Sequence, residues 1–188
     1  GGVVEIPLAQ GERVRLALLP FCSQRSIVKA ADLMAKDAAG NAATYEERMR
    51  AIVASLTAGF REDAVNVVLA HAAVRGGRMG GGERESQTVF SYTVDGSIFP
   101  STAHYVALGH LHRAQQLPGI RPVWYSGSPI QVDFGEGDDE KAVLLVEATA
   151  ATPARVRKVP ITSGRTQMGL PSLRSWRTTC SRAILPRP

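Results

Sequence analysis

Short apolar runs separated by turn residues recur along the chain and predict strands. Residues 3–8 predict a short strand, and residues 14–21 predict a buried one with Pro20 near its end. The run VNVVLA at 65–70 is too apolar for a half-exposed strand, so we expect it inside a sheet that is covered on both faces. Further apolar runs predict strands at 105–108, 123–125, 142–148 and 155–161.

Apolar residues at intervals of three and four predict two helices between the early strands. The first helix is predicted at 26–36, and Gly40 with Asn41 is expected to end it. For the second helix, Thr44 and Glu47 are predicted to form a capping box at the start. Its apolar face is predicted to contain Tyr45, Met49, Ile52, Val53, Leu56 and Phe60. Strands that first alternate with helices and then follow one another predict a layered α/β sandwich.

Composition narrows the class of protein. The 188 residues are 44% hydrophobic and 21% charged, which is typical of one globular domain and excludes a disordered or fibrous chain. No run approaches the roughly 18 apolar residues of a membrane-spanning helix, so no membrane association is expected. The first residues lack both a signal-peptide pattern and an initiating Met, so the chain is expected to begin within a longer gene product. Two distant cysteines, Cys22 and Cys180, indicate a reduced, cytoplasmic protein.

The net charge of +5 is concentrated at one end. Residues 148–188 contain eight basic residues and no acidic one, whereas the preceding part is mildly acidic. A basic tail can bind the phosphate backbone of a nucleic acid. This tail, however, has no helical or alternating apolar period, so residues 164–188 are interpreted as a disordered or aberrant end.

Three of the four histidines follow predicted strands directly. His71 ends the strand VVLA, while His110 and His112 follow the strand YVALG in the string Gly109-His110-Leu111-His112. A His-x-His pair in extended backbone directs both imidazoles to one side. Imidazoles that gather at neighbouring strand ends are suited to part of a metal site. A single histidine at a strand end is more often structural, and His104 is interpreted as a solvated loop residue.

The residues around the histidines carry a longer pattern. NVVLAH, HYVALGHLHRAQ and VWYSGSPIQVDFGEG together resemble the SbcD branch of the calcineurin-like metallophosphoesterases, the nuclease subunits of SbcCD complexes. Many phosphoesterases share Gly-His-x-His and Gly-Ser-Pro, whereas the run Asp-Phe-Gly-Glu after Gly-Ser-Pro indicates the SbcD branch. The resemblance covers about residues 14–165.

The resemblance implies a fold, a site and partners. The fold is an α/β sandwich of two facing mixed sheets with outer helices, present here as an incomplete domain over residues 1–163. Two divalent ions, usually manganese, would be bound, with His71 and His110 on one ion and His112 on the other. The implied activity is hydrolysis of DNA, as a 3'-5' double-strand exonuclease and single-strand endonuclease. An SbcC-type ATPase subunit is the implied partner, and a homodimer is a further expectation.

The chain also departs from the family pattern. It contains no Asp-x-His, no Gly-Asp-x-x-Asp and no Gly-Asn-His-Asp motif, so no residue is assigned as catalytic and the chain is interpreted as the C-terminal half of the domain. Three neutral imidazoles cannot offset the repulsion between two neighbouring cations. The isolated chain is therefore expected to be inactive. Asp133 and Glu136 are expected to have a structural or loop role rather than to replace the missing ligands, because acids after a Gly-Ser-Pro turn usually face water. Arg113 is a candidate contact to the DNA backbone.

Two other functions stay open at this point. One is a general metallophosphoesterase that acts on small phosphoesters. The other is a remnant without catalytic activity that binds nucleic acid through its basic tail, which would predict binding that weakens steeply with salt.

Overall fold

The computed structural model describes residues 1–8, 11–80, 92–119, 121–132, 136 and 139–161. In chain order the elements are β1 (Gly2–Pro7), β2 (Arg13–Leu19), α1 (Gln24–Ile27), α2 (Ala30–Ala35), α3 (Ala38–Thr57), β3 (Val65–His71), β4 (Ala73–Val74), β5 (Thr93–Val94), a 3-10 helix (Gly96–Ile98), β6 (Tyr105–Gly109), β7 (Gln115–Leu117), β8 (Val123–Tyr125), β9 (Ala142–Thr149) and β10 (Thr152–Pro160). The predicted tail at 164–188 and Cys180 lie outside the described residues.

A six-stranded mixed sheet in the order β1-β2-β3-β6-β8-β7 organises the described part of the chain. The four inner strands are parallel, and β1 and β7 pair antiparallel at the two edges. The predicted strands are confirmed within one to three residues, and α/β is confirmed as the class. Strand β7 was not predicted, because its sequence QQL lacks an apolar run.

Helix α3 covers one face of this sheet with the apolar stripe that its sequence predicts. Tyr45, Met49 and Val53 are buried, and they belong to one core cluster with strand residues such as Val68 and Val106. Residues at i, i+4 and i+8 lie on one side of a helix, which is why these three share a face.

The helix boundaries differ from the prediction. Asp37 is the N-cap of α3, and its Oδ1 accepts a 2.8 Å hydrogen bond from the Gly40 amide. Gly40 and Asn41 therefore lie inside the helix instead of ending its predecessor. The capping box at Thr44 was wrong, because Thr44 is buried within the helix and its hydroxyl donates to the Gly40 carbonyl. The helix predicted at 26–36 is two short helices separated by extended backbone at Val28.

The other face of the sheet is open among the described residues, contrary to the expectation for residues 65–70. The register aligns Leu18, Leu69 and Ala107 across three neighbouring strands, and Leu69 is 38% exposed. Strands β9 and β10 form an antiparallel hairpin, which is a separate two-stranded sheet. Its Lys158 ammonium is 5.8 Å from the centre of the Trp124 ring.

Among the described residues, no helix combines the length and the apolar character needed to cross a bilayer.

Candidate functional site

The end of β3 brings two histidines together. His71 is the last residue of β3 and is in register with Gly109, so His110 begins the loop that leaves the neighbouring strand. The Nδ1 atom of His110 lies 3.3 Å from Nε2 of His71, and the two ring centres are 5.2 Å apart. Parallel strands direct their carboxyl ends to one edge of the sheet, and this produces the convergence that the sequence predicts for these two residues.

Backbone conformation at the strand end depends on Gly109 and His110. A Cβ atom on Gly109 would lie 3.1 Å from Nδ1 of His71, which is tighter than most contacts of real Cβ atoms. His110 has a φ of 116°, the only positive φ among the described residues other than glycine. Such a conformation costs a non-glycine residue free energy, and residues of this kind cluster at functional sites.

One aromatic ring, that of Phe21, contacts both histidines of the pair. Phe21 stacks on His110 with an interplanar angle of 7° and a centroid distance of 6.0 Å, and it meets His71 edge-on at 5.9 Å. Phe21 is 48% exposed, so the edge of the pair lies at the protein surface.

The distance between the two histidine nitrogens suits a single metal ion, but two donors are too few to hold it. Two imidazole nitrogens that bind one ion at about 2.0–2.1 Å lie roughly 3 Å apart, and the observed separation of 3.3 Å is in that range. Two neutral donors do not complete a coordination shell. No group of three or more His, Cys, Asp or Glu residues is arranged to hold a metal ion in the part of the chain that the structure describes.

His112 is held by a buried carboxylate. Its Nδ1 atom is 2.8 Å from Oε1 of Glu136, whose side chain is completely buried. The other oxygen, Oε2, accepts hydrogen bonds from Lys141 Nζ at 2.8 Å, the Val132 amide at 3.1 Å and the Ser128 hydroxyl at 3.4 Å. These contacts agree with the structural role expected for Glu136. The expectation that it faces water was wrong, because these donors replace the lost hydration.

The charge state of Glu136 follows from the same contacts. Burial by itself raises the pKa of this carboxyl, but the hydrogen bonds from Lys141, Val132 and His112, with the positive charge of Lys141, lower the pKa below its usual value. Glu136 is therefore an ionised carboxylate at neutral pH. The sequence analysis did not identify Lys141 as part of the site, because the strand predicted at 142–148 begins only after it.

The Gly-Ser-Pro turn fixes the backbone beside His112. The Ser128 amide donates to the His112 carbonyl at 3.0 Å. Gly127 has a φ of 77°, and a Cβ atom there would lie 2.7 Å from the Ala114 amide nitrogen and 2.8 Å from the His112 carbonyl oxygen. Only glycine combines this conformation with so close an approach of two backbone segments.

The remaining candidate residues lie in different surroundings. Arg113 forms an ion pair with Asp139, with Nε 2.9 Å from Oδ1, so its contact with DNA stays a prediction. Asp133 lies outside the described residues. His104 is not the solvated loop residue that we expected: its Nδ1 accepts from the Asn66 amide at 3.0 Å and its Nε2 contacts the Ala150 carbonyl at 2.9 Å.

Comparison with known proteins finds several relatives that are named as the D subunit of the SbcCD nuclease. The chain is 35% identical over 139 residues to the D subunit of the SbcCD nuclease of Bacillus subtilis, a match that covers 70% of this chain and 36% of that protein. The protein of the same name from Rhodobacter capsulatus is 38% identical over 100 residues, or 50% of this chain and 24% of that protein. The Escherichia coli K12 protein is 52% identical over 44 residues, or 23% of this chain and 11% of that protein.

No family model matches the chain. The matches span at most about a third of the length of these curated relatives. They agree with the motifs around His71, His110 and His112 in indicating similarity to the D subunits of SbcCD nucleases. The resemblance predicted from the sequence is thus confirmed, and the chain is SbcD-like.

Proposed function

We propose that this chain supplies part of the metal-dependent site of an SbcD-like nuclease, which hydrolyses phosphodiester bonds in DNA. The observation that carries the proposal is the separation of 3.3 Å between the ring nitrogens of His71 and His110 at the carboxyl ends of neighbouring parallel strands. The similarity to nuclease subunits over 70% of the chain supports the same reaction class.

The fold proposed for the intact protein is the calcineurin-like sandwich of two facing mixed sheets with outer helices. In this arrangement the β9–β10 hairpin belongs to the second sheet. Support comes from the open apolar face around Leu69, which a second sheet would cover. Residues 1–163 are proposed to belong to this phosphoesterase domain.

The metal roles are assigned residue by residue. His71 and His110 would each offer a ring nitrogen to one divalent ion, and His112 would offer one to a second ion, with manganese as the proposed metal. The chemistry that two bound ions would supply is neutralisation of the charge on the phosphate and activation of a water molecule. None of the described residues is assigned as the acid that protonates the leaving group.

The described donors cannot hold two cations by themselves. Neutral imidazoles do not offset the repulsion between two divalent ions about 4 Å apart, and manganese favours carboxylate oxygens. Glu136 is already bound to Lys141 and His112 and does not supply that oxygen. The chain of 188 residues should therefore show little or no manganese-dependent nuclease activity by itself.

DNA is the proposed substrate, and an SbcC-type ATPase subunit is the proposed partner, because the relatives' name identifies them as one of the two components of the SbcCD nuclease. A homodimer and a cytoplasmic location complete the proposal. Arg113 would contact the DNA backbone only by giving up or sharing its ion pair with Asp139.

The test compares two proteins on the same substrates. The 188-residue chain and the longest protein encoded in frame around it are incubated with labelled duplex and single-stranded DNA, with Mn²⁺ or with a chelator. We expect chelator-sensitive cleavage by the longer protein alone, and its loss in the His110→Ala variant. Met34→Ala, at a side chain that is 90% exposed, is the control that keeps activity.

Three outcomes would contradict the proposal. Robust chelator-sensitive cleavage by the short chain would refute the argument that its donors are incomplete. Preference of the longer protein for a chromogenic phosphodiester over DNA would favour a general phosphoesterase. Full activity of His110→Ala would remove the histidine pair from the site.

A further inference from the structure

The carboxylate of Glu136 divides its two oxygens between different kinds of partner. Oε1 contacts Nδ1 of His112 at 2.8 Å, while Oε2 receives the ammonium of Lys141, the Val132 amide and the Ser128 hydroxyl. Lys141 Nζ also donates to Ser128 Oγ at 2.9 Å, so a second hydrogen bond fixes its position. These contacts anchor the carboxylate on the side away from His112.

Burial makes this orientation rigid. The Glu136 side chain is 0% exposed and that of Lys141 is 3% exposed, so bulk water does not compete for either group. An ionised carboxylate can accept hydrogen bonds but cannot donate them. The hydrogen in the contact between Nδ1 and Oε1 must therefore belong to His112.

A proton on Nδ1 decides the chemistry of the other ring nitrogen. Neutral imidazole carries one N–H, so the Nδ1–H tautomer has its lone pair on Nε2. Metal ions bind the lone pair, and a carboxylate on the opposite nitrogen also orients the ring and makes it a stronger donor.

We propose that Glu136, anchored by Lys141, is a positioning residue that fixes His112 as the Nδ1–H tautomer and so makes Nε2 its metal-binding atom. The inference rests on the proposed function only in taking His112 as a metal ligand. The tautomer itself is a property of the protein without metal and is measured separately.

The decisive measurement is the tautomer of His112 in the 188-residue chain, read from the ¹⁵N chemical shifts of histidine-labelled protein at neutral pH without metal. We expect the Nδ1–H form in the wild type. In Glu136→Gln, the amide oxygen should turn to Lys141, which can only donate, and the amide NH₂ should face Nδ1 of His112. Nδ1 then becomes an acceptor, and the proton should move to Nε2.

A matched control changes Asp139, an acidic residue three positions after Glu136. Asp139→Asn loses the charge that pairs with Arg113 but leaves Glu136 in place, so the Nδ1–H tautomer of His112 should persist.

If Lys141 without its counter-ion prevents Glu136→Gln from folding, the double variant Glu136→Leu with Lys141→Met removes both charges together. The single dominant tautomer should then give way to a mixture. An Nε2–H tautomer in the wild type, or an unchanged tautomer in the variants of Glu136, would overturn the inference.

Binding of Mn²⁺ alone, followed by the electron paramagnetic resonance signal of free Mn²⁺, tests the consequence for the metal. We expect affinity about 10- to 100-fold weaker in Glu136→Gln than in the wild type, and no such loss in Asp139→Asn. Equal affinity in wild type and Glu136→Gln would refute the role toward the metal. This binding test uses the longer protein encoded in frame around the chain, because the described donors alone do not complete a site. A longer protein that shows the expected tautomer but binds no Mn²⁺ would contradict the proposed function and leave the tautomer assignment standing.

Discussion

The hydroxyl of Tyr125 accepts a 2.8 Å hydrogen bond from the amide of Val74 and donates one of equal length to the carbonyl of Ala72. Tyr125 ends β8, and the two backbone groups belong to the segment that leaves His71. Through these hydrogen bonds the buried side chain connects the end of strand β8 to the backbone that follows His71.

Tyr125→Phe should destabilise the protein by about 2 kcal/mol, because it leaves a buried amide and a buried carbonyl without their partner. The measurement is the midpoint of urea unfolding at pH 7. Tyr105→Phe is the matched control: Tyr105 is also buried, and its hydroxyl makes no hydrogen bond to another described residue. Equal stability of the two variants would contradict the role of the hydroxyl.

Gly127→Ala should be more destabilising than Gly11→Ala. Both glycines have a positive φ, of 77° and 84°. A Cβ atom on Gly127 would lie 2.7 Å from the Ala114 amide nitrogen and 2.8 Å from the His112 carbonyl oxygen, whereas one on Gly11 has open space. The positive φ should lower the free energy of unfolding by about 1 kcal/mol in either alanine variant. The clash should lower it by about 1–3 kcal/mol more in Gly127→Ala. Thermal unfolding of both variants measures the difference. Similar losses would show that the turn can relax away from His112.

Stability should fall at alkaline pH because of buried tyrosines. Burial raises the pKa of Tyr105 to about 12, whereas the unfolded chain loses that proton near pH 10. The unfolded state therefore releases the proton first, so the stabilisation is complete below about pH 10 and is lost as pH rises toward 12. The expected slope from this residue is about 1.4 kcal/mol per pH unit.

Burial also raises the pKa of Tyr45 and of Tyr125, so both contribute to the decline with the same sign. Urea unfolding between about pH 9 and 12 should give a shallower decline in Tyr105→Phe than in the wild type. Identical slopes for the two proteins would show that Tyr105 titrates alike in both states.

His104→Ala should loosen the β9–β10 hairpin. The imidazole of His104 forms hydrogen bonds with the Asn66 amide and the Ala150 carbonyl. Its removal therefore breaks a side-chain connection between strand β3 and the turn of the hairpin. Loss of these hydrogen bonds should cost about 1–3 kcal/mol. Hydrogen exchange at the Ala154 amide, which donates to the His104 carbonyl, should become faster. Glu147→Ala, on the same hairpin, should leave that rate unchanged, and equal rates in both variants would refute the link.

The open sheet face should make the chain bind hydrophobic dyes and associate. Leu69→Lys should reduce dye fluorescence and concentration-dependent association, because it places a charge in the middle of the exposed apolar row. Met34→Lys should change neither, since Met34 lies on helix α2, away from that face. A cooperative, monomeric melt of the wild type without dye binding would contradict this expectation.

Local patterns were enough to predict much of this protein. The central strand at 65–70, the strand before Gly109 and the buried stripe of Tyr45, Met49 and Val53 follow from the spacing of apolar residues, because side-chain direction repeats with a fixed period in each element. The same reasoning placed His71 and His110 at neighbouring strand ends. The string around them was specific enough to indicate the family.

Only the tertiary structure decided which polar groups are buried and which apolar ones are not. The sequence around Glu136 is typical of a loop that faces water, but in the structure Lys141, Ser128 and His112 contact its buried carboxylate. The sequence around Leu69 predicts a core residue, but no described element covers it. Burial depends on which distant segments pack together. The free energy of an ionised carboxylate depends on the donors that those segments supply, and neither is determined by the residues adjacent in sequence.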